Sequence, residues 1–262
     1  ALSLGIGLTN ACNLSCPHCY RPQGPPTHLT LARVRAALDV LDVGGVNLGT
    51  GENILNPELP AVLDELAARG IRASLTSNGT SLLALDEARL LRLHDVEVSL
   101  DLPTQAEVDD FRGDGAWDLA LRGIARCRSL GLKVTVLSVM MRTNWDRLAE
   151  VAALARSLGA LHRFNVYQPV HERALMPTWD EFWEGFRLTF QDTELVTCTE
   201  PVVAAVLADL RGSMTDGRVT DGREAPPAEG LVCGCGRRSV RLMPSGDVLP
   251  CVYWPRPAAT LE

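Results

Sequence analysis

Short apolar runs alternate with amphipathic stretches along the first two thirds of this 262-residue chain, and this alternation constrains the fold more than any other feature. The apolar, β-branched runs predict strands at about 2–8, 45–50, 71–77, 96–101, 133–140 and 162–168. Apolar residues at helical spacing predict helices between them, at about 30–42, 57–69, 85–93, 116–130 and 144–158. Strands that alternate with helices predict a parallel sheet with right-handed crossovers.

Residues at the ends of the helical stretches support this assignment. Pro57 and Asp86 lie where helices are expected to begin, and Gly70, Gly131 and Gly159 lie where helices are expected to stop before a strand. Six strand–helix units are fewer than the eight of a closed barrel. We therefore predict an α/β fold, an open and partial (β/α)6 TIM-like barrel, with ligands bound at the carboxyl ends of its strands.

The alternation ends near residue 170. We predict a barrel core over 1–170, a helical segment and linker over 171–230, and a small cluster-binding extension over 231–262. The middle segment has helical patterns near 178–190 and 201–211, and residues 212–230 are rich in Gly, Pro, Asp and Glu, which is typical of a loop.

The final segment predicts a β-hairpin. Two short apolar stretches flank the turn residues Pro244, Ser245, Gly246 and Asp247. Cys233, Cys235 and Cys251 are expected at the base of this hairpin.

Three cysteines directly follow the first predicted strand. Cys12, Cys16 and Cys19 have a C-x3-C-x2-C spacing, and three thiolates on one loop can hold three irons of a cubane cluster while the fourth iron stays open for chemistry. The alternative is structural zinc, which usually takes paired ligands at C-x2-C spacing. The triplet therefore favours an iron–sulfur cluster, and His18 is expected to pack beside it rather than bind it.

Composition excludes several classes of protein. A formal charge of −7 and a pI near 5.3 argue against a nucleic-acid groove or a membrane-surface patch. Neither a signal peptide nor a membrane-length apolar run is apparent. Eight cysteines without a secretory signal indicate a reducing compartment, so we expect a cytoplasmic protein with neither nucleic acid nor membrane as a partner. Cys127, at an apolar position of a predicted helix, is expected in the core.

These residues resemble the radical S-adenosylmethionine (radical SAM) enzymes over residues 1–168. The family signature is the C-x3-C-x2-C loop after the first strand. Where family members carry Gly-Gly-Glu-Pro after the second strand, this chain has Thr50-Gly51-Glu52-Asn53, which keeps the second Gly and the Glu. Further similar segments are Thr76-Ser77-Asn78-Gly79 after the third strand, Val98-Ser99-Leu100-Asp101 on the fourth, and Asp110-Phe111-Arg112-Gly113 beyond it.

The resemblance implies a role for each of these segments. Glu52 would hold the amino group of S-adenosylmethionine, Arg112 its carboxylate, and Ser99 its ribose, with Ser77 and Asn78 also at the cofactor. A carboxylate for an amine and an arginine for a carboxylate make charge-assisted hydrogen bonds, while Ser and Asn suit hydroxyl groups. The implied activity is reductive cleavage of S-adenosylmethionine at a [4Fe-4S] cluster, which yields a 5′-deoxyadenosyl radical that abstracts hydrogen from a substrate.

The C-terminal segment resembles the twitch or SPASM extension of the same superfamily. The spacing of Cys235, Gly246 and Cys251 fits its pattern, with Cys233 as a third ligand. The resemblance implies at least one auxiliary iron–sulfur cluster of the [4Fe-4S] type. Its fourth ligand would be Cys198, a substrate or an exogenous group, or a cysteine in a tail absent from this sequence, and we favour a missing or shortened tail.

Substrate contacts are expected at the ends of strands four to six. The candidates are Asp101, Arg142, Asn144, Asn165, Tyr167, Gln168, His171 and Glu172. Asp101 and Tyr167 are the predicted catalytic residues, together with Cys198, which could donate hydrogen to a substrate radical as in radical epimerases.

Three functions remain open from the sequence. The first is an oxidoreductase or maturase that oxidises, crosslinks or epimerises a ribosomal peptide or a natural-product intermediate, served by a flavodoxin- or ferredoxin-type reductant. The second is a dehydrogenase or epimerase of a sugar or aminocyclitol in antibiotic biosynthesis. The third belongs to another class, a noncatalytic iron–sulfur electron carrier.

Overall fold

Parallel strands in sequence order form the middle of one mixed sheet. The computed structural model describes residues 1–169, 172–190, 235–251, 253–254 and 256–261, with the backbone of 196–198. The strands of the described residues are β1 (Leu2–Ile6), β2 (Val43–Leu48), β3 (Arg72–Ser77), β4 (Asp95–Ser99), β5 (Val134–Met140), β6 (Leu161–Val166), β7 (Val196–Cys198), β8 (Ser239–Leu242), β9 (Asp247–Leu249) and β10 (Ala259–Thr260). Their order across the sheet is β10-β9-β8-β1-β2-β3-β4-β5-β6-β7.

The sheet is parallel from β8 through β7, and β9 and β10 are antiparallel to their neighbours. β1 to β6 are the six predicted strands, and each pairs with the next in sequence, so the open, partial (β/α)6 barrel predicted from the sequence is confirmed. The carboxyl ends of β1 to β6 therefore share one edge, where the loops that follow them meet.

Helices connect the strands. The α-helices of the described residues are α1 (Leu31–Val40), α2 (Leu59–Ala68), α3 (Thr80–Ala84), α4 (Glu87–Leu90), α5 (Gln105–Arg112), α6 (Ala116–Ser129), α7 (Leu148–Ser157) and α8 (Trp179–Thr189). Gly70, Gly131 and Gly159 have positive φ and follow the ends of α2, α6 and α7, as predicted. None of these helices is both long and apolar enough to cross a bilayer.

One predicted helix is shorter than expected, and two helices were not predicted. The stretch predicted at 85–93 contains only the short helix α4, which Asp86 caps by accepting a hydrogen bond from the Arg89 amide at 2.9 Å, whereas α3 precedes that stretch and was not predicted. α5 was not predicted, because among its eight residues only Val108 and Arg112 are buried and the apolar periodicity is weak. α5 nevertheless carries Arg112 to the site.

The core lies between the outer face of the sheet and the helices. Ile6, Leu48, Leu75 and Val96 are register partners in successive strands and are fully buried. Burying a side chain of this kind contributes about 1.5–3 kcal/mol, so this row holds the strands together from behind. The alternate strand positions point into the barrel. They include polar and charged side chains, which line a site in the interior.

The predicted C-terminal hairpin is present as β8 and β9. β8 also pairs in parallel with β1, with Gly5 opposite Arg241, so the hairpin continues the barrel sheet. The predicted division at 1–170, 171–230 and 231–262 stays a prediction. The predicted helix at 201–211 and the loop at 212–230 lie outside the described residues.

Candidate functional site

A pocket of about 260 Å³ lies at the carboxyl ends of the strands. The loops after β1, β2 and β3 line it, together with inward-facing residues of β2 to β6 and β8. Of the predicted site residues, those on its wall are Cys12, Cys16, Cys19, Glu52, Ser77, Asn78, Ser99, Arg112 and Tyr167. The structure therefore brings nine residues from six separate segments of the chain into one cavity.

The cysteine loop places three half-buried thiols on the pocket wall. Nitrogen donors point at two of the sulfurs. The Leu14 amide lies 3.4 Å from Cys12 Sγ and Asn78 Nδ2 lies 3.8 Å from it, while Arg112 Nη1 lies 3.8 Å from Cys16 Sγ. Such donors stabilise negative charge on sulfur, as thiolate ligands of iron require.

The charge state of these thiols follows from their burial. Burial raises the pKa of Cys12 and of Cys16, whereas Arg112 opposes the rise at Cys16. Bound iron would supply the positive charge that holds the thiolate form. Among the described residues, no three Cys, His, Asp or Glu side chains are close enough to hold a single metal ion. The three thiols lie instead around one cavity, and a cubane takes each thiolate on a different iron.

His18 lies on the pocket wall next to the thiols, and its place beside a bound cluster stays a prediction. Its ring stacks on Phe111 with centroids 5.1 Å apart, and its Nε2 lies 3.5 Å from Asp101 Oδ2. Burial lowers the pKa of His18 to about 4, and the opposing attraction of Asp101 is smaller. His18 is therefore neutral near pH 7, and its ring contacts Phe111 through one face and Asp101 through Nε2.

Glu52 is buried at the start of the turn that follows β2. Its Oε1 accepts hydrogen bonds from Ser77 Oγ at 2.7 Å, from the Ser81 amide at 2.9 Å and from Ser81 Oγ, while its Oε2 accepts from the Asn78 amide at 2.9 Å. All these donors are neutral. The carboxylate is thus fixed in place and keeps an uncompensated negative charge on the pocket wall, which suits an amine ligand.

The turn after β2 requires glycine at position 51. The φ of Gly51 is +65°, and an added Cβ would lie 2.4 Å from the backbone oxygens of Thr9 and Ala11. Only glycine fits there. Asn53 stands where the family has proline, and its Nδ2 donates to the carbonyls of Leu48 and Thr76, which ties together the ends of β2 and β3.

Ser77 and Asn78 extend the same network toward the cysteines. Ser77 Oγ accepts from the Gly79 amide at 2.9 Å. Asn78 Nδ2 donates to Asn13 Oδ1 at 2.9 Å, while Asn78 Oδ1 accepts from Thr80. The loop after β3 therefore supports both the carboxylate of Glu52 and the loop that carries Cys12.

Arg112 forms a buried ion pair with Asp101. Arg112 Nη2 lies 2.6 Å and Nε 2.9 Å from Asp101 Oδ2, and Asp101 Oδ1 accepts from the Val139 amide at 2.8 Å. Burial alone would raise the pKa of Asp101, but Arg112, His18 and the Val139 amide together bring it below the usual range. With Nη1 directed at Cys16, every nitrogen of the Arg112 guanidinium faces a group of this chain.

The residues predicted as catalytic lie in different places. Tyr167 is on the pocket wall, and its hydroxyl accepts from the Glu172 amide at 3.2 Å. Asp101 is almost completely buried behind the wall, where it holds Arg112, so its position is that of a supporting residue. Cys198 belongs to β7, of which the structure describes only the backbone.

Of the other residues predicted to contact substrate, some line the pocket and some lie outside it. Asn165 and Gln168 line the pocket. Asn144 is buried and bonds the carbonyls of Asp101 and Val139, and Arg142 pairs with Glu181, so both support the fold outside the cavity. His171 lies outside the described residues.

The C-terminal cysteines are only partly described. Cys235 is exposed before β8 and Cys251 is half-buried after β9, and both lie at the base of the hairpin. Cys233 lies outside the described residues. Cys127 is fully buried in the core, as predicted, and burial raises its pKa to about 11.

Sequence reasoning missed a polar layer on the inner strand positions. Glu97 on β4 pairs with Arg163 on β6 at 2.8 Å and accepts from Thr76 Oγ1 at 2.8 Å. Arg241 on β8 donates to Tyr20 OH at 2.5 Å and to the Gly49 carbonyl at 3.0 Å. A charged residue in the middle of an apolar strand was the available signal, because in a barrel such a position faces the interior.

Comparisons with known proteins agree with this geometry. Residues 6–155 match the Radical SAM superfamily. Mycofactocin maturase MftC of Mycolicibacterium smegmatis is 31% identical over 257 residues, which cover 94% of this chain and 63% of that protein. PqqA peptide cyclase of Gluconobacter oxydans is 30% identical, with 95% of this chain and 70% of that protein covered. The chain thus spans less than two thirds of the length of MftC.

A solved structure shares the fold. Streptococcus suis SuiB bound to S-adenosylmethionine superposes with a TM-score of 0.72 at 15% identity, over 99% of this chain and 62% of that one. Its likeness concerns the fold alone. From the family match over more than half of its length and the identity to PqqA peptide cyclase, the chain belongs to the radical SAM superfamily, whose members use a [4Fe-4S] cluster and S-adenosylmethionine.

Proposed function

We propose that this protein is a radical SAM maturase that modifies a ribosomally made peptide. The observation that carries the proposal is the convergence of the three-cysteine loop, Glu52 and Asn78 on one pocket at the carboxyl ends of the strands. The names of the relatives support the substrate class, because one is a maturase and the other, PqqA peptide cyclase, names a peptide. SuiB, which shares the fold, has been solved bound to precursor peptide SuiA.

The residues present fit the two cofactors of the family. Cys12, Cys16 and Cys19 would hold the cluster, and donors at two of these sulfurs suit thiolate ligands. When bound, the cluster and S-adenosylmethionine supply a 5′-deoxyadenosyl radical that takes a hydrogen atom from the substrate. The chain itself would bind, orient and shield these groups.

Each wall residue has a specific task under this proposal. Glu52 would orient the amino group of S-adenosylmethionine, because its carboxylate is rigidly held and otherwise unpaired. Arg112 would donate to Cys16 and stabilise negative charge at the cluster, since its pairing with Asp101 commits the rest of the guanidinium. The contact between Arg112 and the methionine carboxylate stays a prediction. The Arg112 nitrogens already face Asp101 and Cys16, so Arg112 would have to share one of them with that carboxylate. Ser99 and Tyr167 would contact ribose and substrate, respectively.

The C-terminal cysteines support a second proposal, an auxiliary [4Fe-4S] cluster ligated by Cys233, Cys235 and Cys251. Cys235 and Cys251 flank the hairpin that β8 joins to β1. A flavodoxin- or ferredoxin-type donor would supply electrons to the enzyme, and an auxiliary cluster would take up the electron that the substrate radical loses when it is oxidised to product.

Iron content and S-adenosylmethionine cleavage test the proposal together. The protein is reconstituted anaerobically with iron and sulfide, then reduced with dithionite in the presence of S-adenosylmethionine. We expect about eight irons per chain and release of 5′-deoxyadenosine. Replacing Cys16 with Ala should remove about four irons and all 5′-deoxyadenosine. The matched control is Cys127→Ala, which deletes a thiol from the core without touching the pocket.

Other outcomes would redirect the assignment. Four irons per chain with normal S-adenosylmethionine cleavage would refute the auxiliary cluster and support the enzymatic assignment. Iron without any 5′-deoxyadenosine would favour the electron-carrier alternative, and bound zinc without iron would end the radical assignment.

A further inference from the structure

We infer that Arg241 forms a subsite for a carboxylate of the substrate, so that the substrate is a peptide presenting an acidic side chain or its own C-terminal carboxylate to the inner wall of the pocket. This inference rests on the proposed function and identifies what the peptide must carry. It begins from the charges on the pocket wall, which are not all compensated.

Four arginines line the pocket, and two of them have carboxylate partners. Arg112 is paired with Asp101 and Arg163 with Glu97. Arg21 donates to the carbonyls of Asn10 and Leu14, which flank Cys12. Its charge opposes the rise that burial causes in the pKa of Cys12. The charge of Arg21 therefore serves the cysteine loop. Arg241 remains, without a carboxylate partner among the described residues.

The contacts of Arg241 hold the guanidinium without neutralising it. Its Nη2 donates to Tyr20 OH at 2.5 Å, to the Gly49 carbonyl at 3.0 Å and to Thr50 Oγ1 at 3.4 Å. Its Cζ lies 5.6 Å from the centre of the Tyr20 ring. Arg241 Nε is buried and makes no hydrogen bond within the described part of the chain. A half-buried cation held only by neutral groups is ready to take an anion from the cavity.

The strand opposite is shaped to receive this side chain. Gly5 on β1 is the register partner of Arg241, and a Cβ on Gly5 would lie 2.7 Å from Arg241 Nη1 and 2.9 Å from its Cδ. The missing side chain lets the guanidinium lie across β1 toward Gly49. Thr50, which replaces the first glycine of the family turn, adds a contact to the same group. Gly5 and Thr50 therefore hold the Arg241 guanidinium at one wall of the cavity.

A guanidinium binds a carboxylate with two parallel hydrogen bonds only through one edge, Nε with Nη2 or Nη1 with Nη2. Nη2 of Arg241 is engaged by three acceptors and Nε is buried, so Nη1 is the nitrogen that would donate to the carboxylate. The methionine carboxylate of S-adenosylmethionine has the same chemistry, so the test must separate the cofactor from the substrate.

The test uses two probes that differ in one group. N-acetyl-alanyl-alanine carries a free carboxylate, and its C-terminal amide does not. Binding of each is measured by calorimetry to the reconstituted protein saturated with S-adenosylmethionine. We expect the wild type to bind the carboxylate at least about tenfold more tightly than the amide, as one charge-assisted contact provides. Arg241→Gln should abolish this preference, and Arg241→Lys should retain part of it.

Two further variants control for folding and for charge. Gly5→Ala keeps every charge but displaces the guanidinium, so it should reduce the preference as well. Arg122→Gln removes an exposed arginine of α6 and should leave the preference unchanged. Equal binding of the two probes by the wild type, or no binding of the carboxylate probe, would overturn the subsite.

Separate measurements identify the source of the carboxylate. S-adenosylmethionine affinity without peptide is compared between Arg241→Gln and the wild type, and loss of the carboxylate preference with cofactor affinity retained would support a substrate subsite. A parallel loss of cofactor affinity would assign Arg241 to the cofactor and refute the inference. Failure of the wild type to cleave S-adenosylmethionine would instead refute the proposed function, so the two failures are distinguishable.

Discussion

Arg112 and Arg241 lie more than 100 positions apart in the sequence but line the same pocket, and they differ in what neutralises them. Arg112 is buried, paired through two nitrogens with Asp101, and directed through the third at Cys16. Arg241 is half-buried and bonds only a phenol, a carbonyl and a threonine hydroxyl. The charge of Arg112 is neutralised within the protein, whereas the charge of Arg241 has no carboxylate partner among the described residues and is left for a ligand. Their surroundings therefore predict opposite responses to substitution.

The largest effect is expected when the pair of Arg112 and Asp101 is broken. Asp101→Asn leaves the Arg112 charge buried without a counterion, which typically costs about 3–5 kcal/mol of unfolding free energy. Denaturant unfolding under anaerobic conditions measures it. The matched control is Asp118→Asn, which breaks the exposed pair with Arg122 and should cost less than about 1 kcal/mol. Equal small losses in both variants would show that the buried pair contributes no more than a surface one.

Acid should weaken the same region. His162 is buried, and its Nε2 contacts Ser138 Oγ, which already donates to the Leu100 carbonyl, so the imidazole is the donor. Burial lowers the pKa of His162 to about 4, from an ordinary value of 6.5. Because the unfolded chain then binds the proton more readily, stability is lost as pH falls from about 6.5 to 4, by about 3 kcal/mol.

A substitution isolates this contribution. His18 titrates in the same direction, so His162→Gln should remove about half of the acid-induced loss, as seen in unfolding free energies between pH 7 and pH 4.5. An unchanged pH dependence in His162→Gln would mean that other groups cause the loss.

The fold was largely predictable from the sequence, and the contrast between the two arginines was not. Alternating apolar and helical patterns depend on local spacing, so they predicted all six barrel strands and the hairpin. The Asp101–Arg112 pair depends on α5, whose polar sequence gave no helical signal, and on its docking against β4. The position of Arg241 depends on β8 pairing with β1, a contact between residues more than 200 positions apart. Motif spacing predicted which residues reach the pocket, but charge compensation became visible only with long-range contacts.

The contrast should also appear at the cluster. Arg112 places a positive charge and a donor at Cys16, which favours the more negative, reduced cluster. Arg112→Gln should therefore lower the reduction potential by on the order of tens of millivolts. Arg241→Gln should leave it unchanged, because Arg241 contacts none of the cysteines. Redox titration followed by electron paramagnetic resonance measures both, and equal shifts in the two variants would contradict the distinction.

The smallest expected effect is on the stability of the Arg241→Gln variant. An arginine held open for a ligand is an uncompensated charge, and removing such a group often stabilises the unliganded protein at the expense of function. Arg241→Gln should therefore change the unfolding free energy by a gain of zero to about 1 kcal/mol. The same denaturant experiment that measures Asp101→Asn measures this change. A loss comparable to that of Asp101→Asn would make Arg241 a structural charge, because its neutral partners would then depend on it as Asp101 depends on Arg112.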